Sequence, residues 1–152
     1  MWFFGHSSKK EKNNPEEVET LLKKGMMYLT GDGAKEDDAE AFRCFEAAAN
    51  QGSGEGMARL GEMYQYGYGT GQSYQKAFEL YTQSAAKNCG LGEFRLGWLY
   101  AHSDYVKTVG NFQIPKDIEK AKALYRSAAQ HGYKDSAGAI DYLLATGNLL
   151  PF

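Results

Sequence analysis

One short run of residues returns along this 152-residue chain at a fixed interval, and that interval limits the fold more than any other feature. Leu60-Gly61-Glu62-Met63-Tyr64 reappears as Leu96-Gly97-Trp98-Leu99-Tyr100, and an earlier copy reads Lys24-Gly25-Met26-Met27-Tyr28. Gly25 to Gly61 is 36 residues and Gly61 to Gly97 is 36 again, while a fourth copy, Ile140-Asp141-Tyr142-Leu143-Leu144, follows after 44. A unit this short cannot bury its apolar face alone, so units related by a fixed period stack on one another and share a continuous core.

Between these copies lies a second periodic run. Ala41-Phe42-Arg43-Cys44-Phe45-Glu46-Ala47-Ala48-Ala49 corresponds to Ala77 through Ala85 and to Ala121 through Ala129. Asp37, Ser73 and Asp117 each stand four residues before the leading alanine and are good N-caps. Glu40, three residues after Asp37, suggests a capping box. Gly52, Asn88 and Gly132 stand where a left-handed residue ends a helix. Asn14-Pro15-Glu16-Glu17 is a further helix start, with a cap, proline at the first position and acids in the first turn. The spacing predicts alanine-rich helices over about 38–51, 74–87 and 118–131. Glycine-bearing helices are predicted over about 15–30, 54–67, 90–103 and 135–146.

A glycine inside a helix costs about 1 kcal/mol relative to alanine, so its recurrence calls for a neighbour at close range. Gly25, Gly61 and Gly97, and five residues earlier Thr20, Gly56, Gly92 and Ser136, are expected to admit a neighbouring backbone. The Ala-Ala or Ser-Ala pair of the alanine-rich helix should supply the facing surface. Tyr64, Tyr81, Tyr100 and Tyr125 recur in register and are expected in the core. Eight extra residues fall between Tyr100 and Asp117, and a loop of that length inside a compact domain is often functional. Tyr105, Val106, Val109 and Phe112 in that loop either make contacts outside the fold or cover a core edge. The apolar ends, Met1-Trp2-Phe3-Phe4 and Leu149-Leu150-Pro151-Phe152, either fold back as caps or serve self-association.

The A-x-x-x-[FY]-x-x-A-A-x-x-G and L-G-x-x-Y-x-x-G-x-G runs, with the 36-residue period, resemble Sel-1-like repeats, relatives of the tetratricopeptide repeat. The resemblance covers about residues 15 to 147. It departs at Asn88, Lys24, Asp141 and the insertion. It implies an all-α, right-handed αα-superhelix of about three and a half helix-turn-helix repeats. The expected organisation is a leader over 1–13, then one domain over 14–152. Within that domain come an opening helix region (14–36), repeats at 37–72, 73–116 with an inserted loop at 103–113, and 117–147, and a tail at 148–152. The resemblance further implies an adaptor or scaffold in protein complexes, with the alanine-rich helices lining the concave side.

Chemistry is not advertised. His6, His102 and His131 are scattered, and His131 at a helix C-terminus is explained by the helix dipole. Cys44 shares the register of Leu80 and Leu124 and reads as a small core residue. Cys89 sits in a turn with no base beside it. No Cys/His group has metal spacing, and the glycine turns lack a phosphate-loop lysine. No catalytic residue, metal or cofactor is expected. With a formal net charge of -2, no basic field is present to draw nucleic acid. The apolar start is too short for a membrane span or a signal peptide. A cytoplasmic protein is the expectation.

The expected partner is a protein or peptide. Helical spacing places Phe42, Arg43, Glu46, Phe78, Glu79, Thr82, Gln83, Lys122 and Arg126 on the groove of the alanine-rich helices. Tyr105 and Phe112 join from the inserted loop. An immunity-like protein that occludes a toxic effector is an alternative. A cell-wall or β-lactam-directed hydrolase is another, known among relatives with paired cysteines in each repeat, a pattern this chain lacks.

Overall fold

The computed structural model describes residues 13–146, with side chains to residue 141. The apolar ends lie outside the described residues. Seven helices and no strand occur among the described residues: α1 (Pro15–Thr30), α2 (Asp38–Asn50), α3 (Gly54–Tyr66), α4 (Tyr74–Ala85), α5 (Gly90–Ala101), α6 (Ile118–Gln130) and α7 (Asp135–Thr146). They agree with the spacing to within two residues at each end. A short 3-10 turn, Ser103–Tyr105, opens the inserted loop.

Most of the starts and stops have a local cause, α5 being an exception in that Cys89 provides no side-chain cap. Asn14 accepts from the amides of Glu16 and Glu17 at 3.1 and 3.4 Å. Asp37, Ser73 and Asp117 accept from the amides three residues on, Glu40, Lys76 and Lys120, at 3.0, 3.2 and 2.9 Å. The capping box at Asp37 lacks its return arm: the Glu40 carboxylate pairs with Arg43 instead. The Asp37 amide donates to the carbonyl of Tyr28 at 2.9 Å. The same clip recurs from Ser73 to Tyr64 at 2.8 Å and from Asp117 to Tyr100 at 3.1 Å, so it survives the insertion. Gly52, Asn88 and Gly132 all have positive φ, at 86°, 57° and 85°.

The packing corrects one expectation about the glycines. Gly25 and Gly61 face a ring and not a backbone, and Gly97 faces a ring most closely, with a β-carbon there also 3.3 Å from the Ala121 carbonyl oxygen. A β-carbon on Gly25 would lie 2.5 Å from the ring of Phe45, one on Gly61 2.5 Å from Tyr81, and one on Gly97 2.8 Å from Tyr125. Each glycine is a hollow for the aromatic residue of the next helix, and Phe45, Tyr81 and Tyr125 are fully or almost fully buried there. The earlier glycines do meet the small pair: a β-carbon on Gly56 would lie 2.7 Å from the Ala49 nitrogen, and one on Gly92 would strike Ser84. Two kinds of junction result. The ring-in-hollow junction joins α1 to α2, α3 to α4 and α5 to α6, and these pairs pack more extensively than α2 on α3 or α4 on α5. The glycine-bearing helix and the alanine-rich helix that follows it are thus the more closely packed pairs.

All four tyrosines expected in the core are buried. Tyr81 donates its hydroxyl to Gln65 Oε1 at 2.7 Å, satisfying both groups inside the core. Cys44 is only half-buried, as is Leu124, whereas Leu80 is buried. Burial nevertheless pushes the Cys44 thiol up, away from nucleophilic use. Cys44 and Cys89 are both free thiols. In the insertion, Ile114 is buried and Val106 and Phe112 pack on the core. Tyr105 and Val109 stand out at 73% and 91% exposure.

Two outcomes follow from these contacts. Gly61→Ala should lower stability by about 1–2 kcal/mol, because overpacking against a fully buried ring outweighs the helix-propensity gain of about 1 kcal/mol. Gly138→Ala in α7, with open space around it, should show that gain instead; urea midpoints of the two variants decide. Burial also pushes the Tyr81 and Tyr125 phenols well above their ordinary range. Their folded values exceed the unfolded value of about 10, so their contribution is full below pH ~10 and falls as pH rises beyond it, by about 1.4 kcal/mol per pH unit for each group. Unfolding followed from pH 9 to about 11.5 should show the fall, and Tyr125→Phe should flatten it.

Candidate interaction surfaces

The side chains singled out by spacing divide into exposed and packed sets. Arg43, Glu79, Thr82 and Arg126 are exposed, while Glu46, Gln83 and Lys122 are half-buried. Several already have local partners. Arg43 pairs with Glu40, Gln75 donates to Glu79 at 3.3 Å, Thr82 donates to the Phe78 carbonyl at 2.7 Å, and Lys122 lies 3.0 Å from Glu119.

The three phenylalanines are not free contacts. Phe42 meets the ring of Tyr64 edge-on at 5.5 Å, and Phe78 meets Tyr100 and Phe112, each at 5.7 Å. Each tyrosine is covered on another side by a lysine from the following helix, Lys76 at 5.0 Å from Tyr64 and Lys120 at 4.7 Å from Tyr100. This Phe–Tyr–Lys spoke ties three successive helices. Phe42, Phe78 and Phe112 are half-buried in these contacts, and Tyr105 is the exposed member of the expected aromatics.

The structure adds charged groups that spacing did not reveal. Glu62 on α3 is 7% exposed and is held by Arg59 at 3.1 Å and by Arg95 of α5 at 2.7 Å. Arg95 also donates to the Tyr66 hydroxyl at 3.4 Å. These bonds accompany a direct approach of α3 to α5 that α2, α4 and α6 do not match. Glu93 on α5, 4% exposed, accepts from the Ser127 hydroxyl at 2.6 Å and lies 2.8 Å from His131 Nδ1. His131 thus has a specific acidic partner in addition to its helix end. The signal was present: Glu62 shares a register with Met26 and Trp98, and Glu93 with Met57 and Leu21, so each carboxylate interrupts an otherwise apolar column.

His131 also borders an open cleft of about 220 Å³, with Glu55, Arg59, Cys89, Gly90, Leu91, Gly132 and Tyr133. Ser127 bonds the carboxylate and not the imidazole, so the Ser/His/Glu group is not wired to activate the hydroxyl. Among the described residues no cluster of His, Cys, Asp and Glu could hold a metal ion, and no helix is long and apolar enough to cross a membrane.

Substitutions separate the structural role of Glu93 from any other. Glu93→Met, which restores the residue of the preceding repeat, should change stability by less than about 1 kcal/mol, since a well-packed isostere can replace a buried pair. His131→Ala should cost about 1–3 kcal/mol by leaving the buried carboxylate with Ser127 alone. Thermal unfolding of the two variants checks the order.

No functionally curated protein matches the chain in sequence. Among solved structures, a Sel1 repeat protein from Oxalobacter formigenes is similar at 30% identity and a TM-score of 0.71, over 90% of this chain and 52% of that one. A protective antigen of uropathogenic Escherichia coli strains with an SLR fold is similar at 28% identity and TM-score 0.68, over 86% of this chain and 26% of that one. The chain thus spans about half or less of these two proteins. Helicobacter pylori cysteine rich protein B shares the fold at 21% identity and TM-score 0.60, over 81% of this chain and 88% of that one. The Sel1 repeat model matches residues 24–53, 54–89 and 90–133, beginning each unit on α1, α3 or α5, the first helix of each closely packed pair. Matched in three consecutive units over well more than half of its length, the chain belongs to the Sel1 repeat family.

Proposed function

We propose that this chain is a non-enzymatic adaptor that holds a protein or peptide partner on a rigid repeat stack and needs no cofactor. Sel1 repeats are generally protein-interaction scaffolds. The observation that carries the reading for this chain is the distribution of exposed apolar surface. Among the described residues, the large hydrophobic side chains left exposed are Met27, Tyr66, Tyr68, Tyr105 and Val109. All of them fall near the ends of α1 and α3 or in the connections after α3 and α5, along one edge of the stack. Core packing uses none of these positions fully, and exposed apolar residues gathered on one edge mark an interaction site.

In this proposal the partner engages the loop over 103–113 through Tyr105. It extends onto the face of the alanine-rich helices, where Arg43, Glu79, Thr82 and Arg126 offer both signs of charge, with Glu46, Gln83 and Lys122 at its margins. A cytoplasmic setting is part of the proposal, in keeping with two free thiols. The test is affinity capture from the native cell with the wild-type chain, Tyr105→Ala and Arg126→Glu. One stoichiometric protein, retained by the wild type and reduced at least about tenfold by either variant, supports the reading. If that protein is a toxic effector, the adaptor is an immunity-like module. Equal retention by all three folded chains overturns the choice of surface.

A further inference from the structure

We infer that the edge formed by the end of α3, the α3–α4 turn and the start of α2 binds an arginine-bearing segment of a protein partner. It rests on the adaptor reading only in taking the partner to be a protein.

Tyr66 and Tyr68 are 46% and 43% exposed, and their rings lie 5.6 Å apart, tilted by 31°. Neither belongs to the repeating core tyrosines, so their exposure is not a by-product of the repeat. The turn that carries Tyr68 has no charge from Gly67 to Gln72. It is pressed against the beginning of α2: a β-carbon on Gly69 would lie 2.5 Å from the Asp38 carbonyl oxygen. That contact sets the turn against the start of α2, where the preceding stretch carries Asp32, Glu36, Asp37 and Asp38 with a single base, Lys35. None of these four carboxylates is in an ion pair among the described residues.

Asp37 caps α2; an exposed aromatic on an edge that also carries carboxylates outside any ion pair selects a cation, and the shape of the cation favours one over another. A guanidinium is planar, so it can lie flat on the Tyr68 ring and still direct its N–H fork at a carboxylate. An ammonium does one or the other. Arg95 already occupies the hydroxyl end of Tyr66, which leaves the Tyr68 ring, 43% exposed, as the open aromatic of this edge. An acidic or purely aliphatic segment finds no complement there.

The probe is a fluorescein-labelled peptide of alternating arginine and glycine, titrated with the full chain at low ionic strength, where surface charge is least screened. Lysine–glycine and glutamate–glycine peptides run beside it. The expected result is saturable binding of the arginine peptide, weaker binding of the lysine peptide and none of the glutamate peptide, with amide NMR shifts at residues 36–38 and 66–70. Tyr68→Ala and Glu36→Gln, both exposed positions that leave the core untouched, should each weaken binding about three- to fivefold. Equal binding of the arginine and lysine peptides, undiminished binding by Tyr68→Ala, or no saturable binding overturns the inference. A cellular partner whose capture depends on Tyr105 but not on Tyr68 overturns it too, and leaves the adaptor reading standing.

Discussion

An aromatic ring seated in the hollow of a helical glycine is the contact on which this structure depends. Phe45, Tyr81 and Tyr125 each lie where a β-carbon of Gly25, Gly61 or Gly97 would have to be. The glycine gives up about 1 kcal/mol of helix propensity and admits a large ring that is then sealed from water. Burying such a side chain is worth more than that loss, about 1.5–3 kcal/mol. The exchange also sets spacing and crossing, because a ring fits one hollow and no adjacent one. Small-on-small contact at Gly56 and Gly92 then closes the junction to the next pair. Alternation of these two contacts generates the stack.

The polar ties are added to that frame and differ from repeat to repeat. Glu62 with Arg59 and Arg95 fastens α3 to α5, and Glu93 with Ser127 and His131 fastens α5 to α6. Both carboxylates stand in columns that are apolar in the other repeats. A periodic core by itself tolerates slippage by one unit. A buried carboxylate with its cations in one particular repeat does not, because slippage would strand a charge away from water. Placing unlike polar groups in like columns distinguishes one register from the next.

Helices, caps and the period were readable from the chain because they depend on neighbours within a few residues. Asp37, Ser73 and Asp117 cap as their type and position require, and Asn88 adopts the left-handed conformation expected of a glycine substitute. What the glycines face was not readable, since a hollow for a ring and a close backbone leave the same residue behind. The cross-helix partners of Glu62 and Glu93 lie 33 to 38 residues away and had the same opacity. Phe42 and Phe78 looked available by helical spacing, yet they are consumed by tyrosines of a neighbouring helix. Tyr66 and Tyr68, which are open, stand outside the repeating register, with Thr30 and Asp32 in their places one repeat earlier, so periodicity carries no sign of them.

The clip between the tyrosine carbonyl and the capping residue spans eight intervening residues from Tyr28 to Asp37 and sixteen from Tyr100 to Asp117. Its geometry is the same at both lengths. Doubling a flexible connection costs only about 0.6 kcal/mol of closure entropy. The junction between the flanking helices is therefore held by the clip whatever the length of the connection, and added chain need only lay its own apolar residues on the core, as Ile114 and Phe112 do. Recognition can be rewritten by lengthening that connection, one turn at a time, while the repeat that supports it stays fixed.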